Sequence, residues 1–192
     1  MIVSIVGPES CGKTTLAREL AEHLSMPLVE EVARKALAGR PGYGFEDVVC
    51  IARAQWREER EASVPAVLDT DLLVVRIWLS DKFGVVLAWL EEAVRGTHRS
   101  KRYLLCAPDV PWEPDPLREN PHDRQRIFDL YREALEDLGL PFAVVRGLGA
   151  ARFASALRAV HRWQETLPSS RAEVTRSSNR VKGPLRDPRG EG

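Results

Sequence analysis

The sequence predicts an α/β fold, with a parallel sheet of five strands and helices on both faces. Three observations carry that prediction. Short apolar runs alternate with amphipathic stretches along most of the 192 residues, as strands alternating with covering helices require. The first run, "IVSIV" at Ile2 to Val6, is nearly all apolar, which suits a central strand buried on both faces. A glycine-studded turn, "GPESCGKTT", follows it at once and leads into helical spacing.

The remaining elements follow in order. Leu16, Ala17, Leu20, Ala21 and Leu24 repeat at helical spacing, and "MPLVEE" reads as a second strand ending in carboxylates. Phe45, Val48, Val49, Ala52 and Trp56 mark a long helix behind the turn "GRPGYG". "VPAVLDTD" is a third strand whose apolar body stops at Asp69. Phe83, Val86, Leu87, Leu90 and Val94 give a further helix, and "RYLLCAPD" a fourth strand. The segment "PDVPWEPDPLRENPHDR" is too rich in proline for regular structure and reads as a lid after strand four. Ile127, Leu130, Tyr131, Ala134, Leu135 and Leu138 form a helical stripe stopped by Gly139 and Pro141. "PFAVV" is the fifth strand, and Phe153, Ala156, Leu157 and Val160 the last helix.

One domain accounts for residues 1–167. Residues 168–192 are rich in Ser, Arg, Pro and Gly, so they cannot offset the entropy of ordering and are expected to be a disordered tail. The formal net charge of +0 offers no global attraction to nucleic acid or to a membrane surface. No apolar stretch is long enough to span a bilayer. "MIVSIVG" has no basic flank and reads as a strand, not a signal peptide. The three cysteines, Cys11, Cys50 and Cys106, have no metal-binding spacing, and a reducing cytoplasm is the simplest setting for them.

The chemistry begins at the glycine turn. Gly7, Gly12, Lys13 and Thr14 fit G-x-x-x-x-G-K-[ST], with a strand before and a helix after, so the fold is that of the three-layer P-loop NTPases. The glycines let successive N–H groups point at phosphate oxygens, and the helix N-terminus adds its dipole. Lys13 is placed for the β- and γ-phosphates, and the Thr14 hydroxyl for Mg²⁺.

Open α/β sheets bind ligands beyond the carboxyl ends of their strands. Glu30 and Glu31 stand at the end of strand two, with Arg34 a turn later, and Asp69 and Asp71 at the end of strand three. One carboxylate would serve the metal and another accept the proton of an attacking hydroxyl. The alternative for Glu30 or Asp71 is a helix cap. In the proline-rich segment, Arg118, Arg124 and Arg126 are candidates to meet a transferring phosphoryl group, or else form a solvated helix face. Trp112 is either an aromatic wall for a flat ring or a packing residue. Cys11, beside Lys13 at a helix N-terminus, is expected to have a lowered pKa and to be the most reactive of the three thiols. The alternative is a small buried filler beneath the loop.

"GPESCGKTTLA", "VEEVAR", "IARAQ", "LDTDLLVVRIW", "PDVPWEPDPLR" and "GLGAAR" together resemble the nicotinamide riboside kinase domain of NadR-type proteins, in the same order, over about residues 1–160. The resemblance implies transfer of the ATP γ-phosphate to the 5′-hydroxyl of nicotinamide riboside, giving nicotinamide mononucleotide. It assigns Gly7, Pro8, Glu9, Ser10, Cys11, Gly12, Lys13, Thr14 and Thr15 to ATP, with Arg152 near the adenine end. Lys13, Glu31, Asp69 and Arg118 become the catalytic candidates, and Thr14 and Asp69 the Mg²⁺ ligands. Glu31, Arg34, Asp71, Trp112, Asp115 and Arg124 become candidates for the acceptor. Three positions depart from the family: Cys11 for serine, Val32 for an aromatic, and Pro116 for glycine, the last expected to stiffen the lid. The adenylyltransferase and DNA-binding domains of full NadR-type proteins are not expected, since the chain begins at the kinase strand.

Three readings therefore stand: this kinase, a kinase of another nucleoside, and a nucleotide-dependent regulatory ATPase or GTPase. An arginine-bearing lid with two acidic strand ends favours a kinase, because a switch needs neither. A motor ATPase would need an arginine-finger helix or an appended domain, and the sequence offers neither.

Overall fold

The run Ile2–Val6 is buried along its whole length and forms β1, the middle strand of the sheet. The structure is a computed structural model, and it describes residues 1–96, 101–115 and 118–166. Five parallel strands lie in the order β2-β3-β1-β4-β5, where β2 is Leu28–Val29, β3 Ala66–Asp69, β4 Lys101–Cys106 and β5 Phe142–Val145. Ile5 sits opposite Asp69 on one side and Leu104 on the other. That register brings the carboxyl ends of β1, β3 and β4 to one edge, where a ligand is expected.

Side chains alternate across the strands and divide the core into two layers. Val3 and Ile5 of β1 pack with α1 (Lys13–His23) and α7 (Gly149–Thr166) through Leu16, Leu20, Ala156 and Val160. Tyr103 and Leu105 of β4 lie in the opposite core, against α3 (Phe45–Glu61), α4 (Leu72–Phe83), α5 (Ala88–Gly96) and α6 (Arg124–Asp137). A short helix, α2 (Val32–Ala36), follows β2. Five parallel strands with helices on both faces agree with the sequence expectation.

Two details differ from it. Strand two is only two residues long, and its acidic end passes straight into α2. The single helix expected over Phe83 to Val94 is two helices, α4 and α5, and most of α4 lies before Phe83. Leu72, Leu73, Val75, Ile77 and Leu79 of α4 are all buried, with Val74 and Trp78 packed beside them. A helix covered on nearly every side carries no polar stripe, so spacing alone does not reveal it.

The segment after β4 is irregular at residues 111–115 and 118–120, as its prolines suggested. Pro116 and the tail over residues 168–192 lie outside the described residues, as does Leu167. Among the described residues no helix is long and apolar enough to cross a membrane.

Candidate active site

The turn after β1 is shaped by its neighbours. Gly7 has φ +137°, and a Cβ there would stand 2.7 Å from the carbonyl oxygen of Cys106 on β4, so only glycine fits. Gly12 is left-handed (φ +76°) and caps the start of α1. Lys13 folds back so that Nζ donates to the carbonyls of Gly7 (3.0 Å) and Pro8 (2.7 Å). Burial works against its ammonium charge, but the fields of Cys11, Glu31 and Asp69 outweigh it and raise its pKa.

Behind the loop, the buried Arg152 guanidinium donates to Cys11 O (2.7 Å), Ala107 O (2.9 Å), Gly147 O (2.8 Å) and Asp109 Oδ1 (2.5 Å). It braces the loop against the ends of β4 and β5. All of these partners belong to the protein, and Arg152 does not line the cavity, so an adenine contact is not what this arrangement offers. Cys11 lies under the loop, 1% exposed, with Sγ donating to Pro8 O at 2.9 Å. Burial would raise its pKa, yet a hydrogen bond from Cys106 and the charges of Lys13, Arg152 and Arg124 lower it to about 6. Of the two sequence alternatives for Cys11, the geometry is that of the buried filler. Cys50 is the exposed thiol.

The two aspartates of "LDTD" part company. Between them Thr70 holds φ +73°, a left-handed conformation rare for a β-branched residue, and so they serve different neighbours. Asp69, 3% exposed, is hydrogen-bonded to Thr14, while its Oδ1 has no partner. Its pKa is raised by burial, against the pull of Thr14 and Lys13. Asp71 turns the other way. Its Oδ1 accepts the Leu73 N–H (3.0 Å), capping α4, and its Oδ2 meets Lys101 Nζ at 2.9 Å. Glu59 completes a buried triad: Oε2 to Lys101 Nζ (2.5 Å) and Oε1 to the Leu72 N–H (2.8 Å). The expected acceptor role for Asp71 is therefore corrected to the capping one, since its oxygens are occupied away from the cavity. Glu30 is no cap; it pairs on the surface with Lys35 (2.6 Å).

Glu31 does face the cavity. Burial raises its pKa, assisted by Asp69 and Asp115 and opposed by Lys13 and Arg34. Arg34 bridges it (3.6 Å) to Asp115 (3.3 Å) across the mouth of the site. Arg118 Nη1 reaches Ser10 Oγ (3.3 Å) and also donates to Glu113 O. Arg124 donates to Ser10 O (3.2 Å) and Val110 O (2.7 Å), with its guanidinium 5.7 Å from the centre of the Trp112 ring. Neither lines the cavity: Arg124 fastens the segment to the loop in place of the acceptor contact expected of it, and Trp112 stands against that guanidinium and is no wall of the cavity. Arg126 is taken up by Asp81 (2.6 Å) and Asp123 (2.6 Å).

The result is one cavity of about 460 Å³, lined by residues 7–15 together with Glu31, Arg34, Asp115 and Arg118. Sequence reasoning missed its other wall: Leu37, Tyr43, Val74, Ile77 and Trp78, with Asp81 beside them. Tyr43 and Trp78 meet edge to face, 5.0 Å between ring centres. Spacing read Tyr43 as part of a flexible turn, and nothing local marks a turn residue as a pocket wall. For Mg²⁺ the fit is sound: Asp69 presents a buried oxygen with no partner beside the Thr14 hydroxyl.

A family model described as an AAA domain matches residues 2–152. No curated protein matches the sequence. Among solved structures, the fold is similar to that of a NadR protein in complex with NR, with TM-score 0.70 and 21% identity over 88% of this chain and 52% of that one. It is also similar to a NadR protein in complex with NAD and AMP-PNP (TM-score 0.67, 21% identity, 88% and 50%). Shikimate kinase from Acinetobacter baumannii in complex with shikimate shares the fold at TM-score 0.55 and 20% identity, over 87% of this chain and 95% of that one. The chain spans about half the length of the NadR proteins.

Proposed function

The chain belongs to the AAA domain family, and on that premise we propose that it is an ATP-dependent kinase that phosphorylates the 5′-hydroxyl of nicotinamide riboside, giving nicotinamide mononucleotide. One observation carries this reading. A single cavity joins a phosphate loop to the half-buried Glu31 carboxyl and an aromatic wall, so a second ligand fits next to the phosphates. A nucleotide switch has no use for that second compartment. The sequence motifs shared with NadR-type kinases and the fold likeness to a NadR protein in complex with NR support the acceptor. So does chemistry: the nicotinamide ring of the riboside is cationic, and Trp78 lines the cavity with the Asp81 carboxylate beside it, while the Tyr43 ring already has Lys82 Nζ 4.0 Å from its centre.

In this reading the loop N–H groups and Lys13 hold the triphosphate. Glu31, made more basic by burial, takes a proton from the acceptor hydroxyl. The hydroxyl oxygen bonds to the γ-phosphorus as the bond to the β–γ bridging oxygen breaks, and ADP leaves. Arg118 offsets the charge that spreads over the transferring group. Thr14 and Asp69 would hold Mg²⁺, which when bound neutralises phosphate charge.

The test is ADP release by the purified protein across a panel of nucleosides. Release should need both nicotinamide riboside and Mg²⁺. Hydrolysis independent of any acceptor would overturn the reading. So would a tenfold preference for another nucleoside, about 1.4 kcal/mol of transition-state discrimination.

A further inference from the structure

A carboxylate in the middle of a phosphate loop calls for an explanation, because left bare it would repel the anion the loop holds. Glu9 is that carboxylate, and it is fully engaged. Its Oε2 accepts the backbone N–H groups of Glu119 (2.9 Å) and Asn120 (3.0 Å), and its Oε1 accepts Asn120 Nδ2 (3.4 Å). Two successive N–H groups closing on one oxygen form a small anion nest, here filled by the protein itself. Ser10, the next residue, accepts the Glu113 N–H (2.9 Å) and Arg118 Nη1 (3.3 Å) through its hydroxyl. Glu119 is held from the far side too. Its carboxylate accepts from Lys82 Nζ (2.7 Å) and from the Tyr43 hydroxyl (3.0 Å), and Tyr43 belongs to the aromatic wall.

We infer that Glu9 is a positioning residue: its carboxylate fixes the backbone directly after Arg118, so that the Arg118 guanidinium stays over the phosphate loop. Arg118 is the group that meets the phosphoryl; Glu9 acts through it. Glu119 carries the same hold to the acceptor wall, so the arginine is fixed from the nucleotide side and the acceptor side together. The consequence for turnover rests on the kinase reading above, whereas the hold itself does not.

Amide hydrogen exchange and kinetics on Glu9→Ala, Glu9→Gln, Arg118→Ala and the Glu9→Ala/Arg118→Ala pair test both parts. In Glu9→Ala the amides of Glu119 and Asn120 should exchange at least about tenfold faster, with β1 and β4 still protected. Glu9→Gln keeps an amide oxygen as acceptor and should fall between the two. Each single alanine variant should lower kcat with little change in KM for ATP. The pair should be no slower than Arg118→Ala alone, because residues acting as one unit do not add. Unchanged exchange at Glu119 and Asn120, or rate losses that multiply with a raised KM for ATP, would overturn the inference. Faster exchange in Glu9→Ala, in a protein whose unmodified form shows no acceptor-dependent turnover, would uphold the hold and overturn the kinase reading.

Discussion

Lys101 and Asp71 form a salt bridge of 2.9 Å in which both side chains are shut away from solvent. Lys101 begins β4 and Asp71 caps α4, so the bridge pins the first turn of a helix to the base of the neighbouring strand. Lys101→Met would leave the carboxylates of Asp71 and Glu59 buried without their cation. The expected loss is about 3–5 kcal/mol, the range for breaking a buried pair from one side. A lower urea midpoint with an unchanged slope would show it, and a loss below about 1 kcal/mol would refute it.

Glu59 gives the same triad a pH signature. Burial, with the Asp71 charge, raises its pKa from 4.5 to about 7 against the opposing pull of Lys101. Folding therefore takes up a proton between those values. The stability tied to Glu59 is full below the lower one and is lost as pH rises through the upper one. In chemical denaturation from pH 4 to 8, Glu59→Gln should lack this decline. Parallel profiles for the two proteins would remove Glu59 from the account.

Glu31 and Asp69 should fail differently. Glu31→Gln removes the proposed proton acceptor, so kcat should fall about a hundredfold or more. Because a raised pKa governs the unmodified enzyme, its rate should climb with pH through that value, and the variant should lose this limb. Asp69→Asn should also lower kcat about a hundredfold, but with a raised Mg²⁺ requirement and ATP binding largely kept. Near-normal turnover in either variant would leave that carboxylate a structural role only.

Thiol labelling should follow exposure and not acidity. A thiolate-prone Cys11 is of no use to a reagent that cannot reach it, so native protein should label at Cys50, with or without Mg-ATP. Cys11 and Cys106 should react only after unfolding. Peptide mapping after brief alkylation reads the order directly, and early labelling of Cys11 would mean that the loop opens readily.

The chain end gives a further expectation. The buried residues of α7 are Arg152, Ala156, Ala159 and Val160, all well before Thr166. A protein ending at Leu167 should keep its melting temperature and its activity within error. A marked fall in either would show that the removed residues dock on the body.

What the sequence disclosed follows the range of the interactions involved. Local signals were enough for the strands, for α1, α3 and α6, and for a phosphate loop set between strand and helix. The pairing of Lys101 with Glu59 and Asp71 spans 42 and 30 positions, and no spacing rule reaches that far. For Asp71 of "LDTD" the sequence leaves a site role and a helix cap both open, because the left-handed Thr70 that turns it away from Asp69 is a backbone choice that composition does not announce. Trp112 and Arg124 carried the right chemistry on the right segment, but which face a side chain takes in an irregular stretch depends on tertiary contacts. Glu9 was read by its membership in the loop, when its partners lie 110 and 111 positions away.

Arg152 has a consequence that reaches beyond the loop it supports. Its four acceptors all come from the protein, so the phosphate cradle takes shape during folding and no ligand is needed to order it. Nucleotide should therefore bind as to a rigid mould, with little of the unfavourable entropy that marks a disorder-to-order transition. The dependence also runs in reverse. Gly147, at the β5–α7 junction, holds φ +91° and gives its carbonyl to this guanidinium, although it lies 134 positions from Lys13. A side chain there would strain the junction and weaken nucleotide affinity without removing a single contact to the nucleotide, so a variant found far from the loop can still be a loop variant.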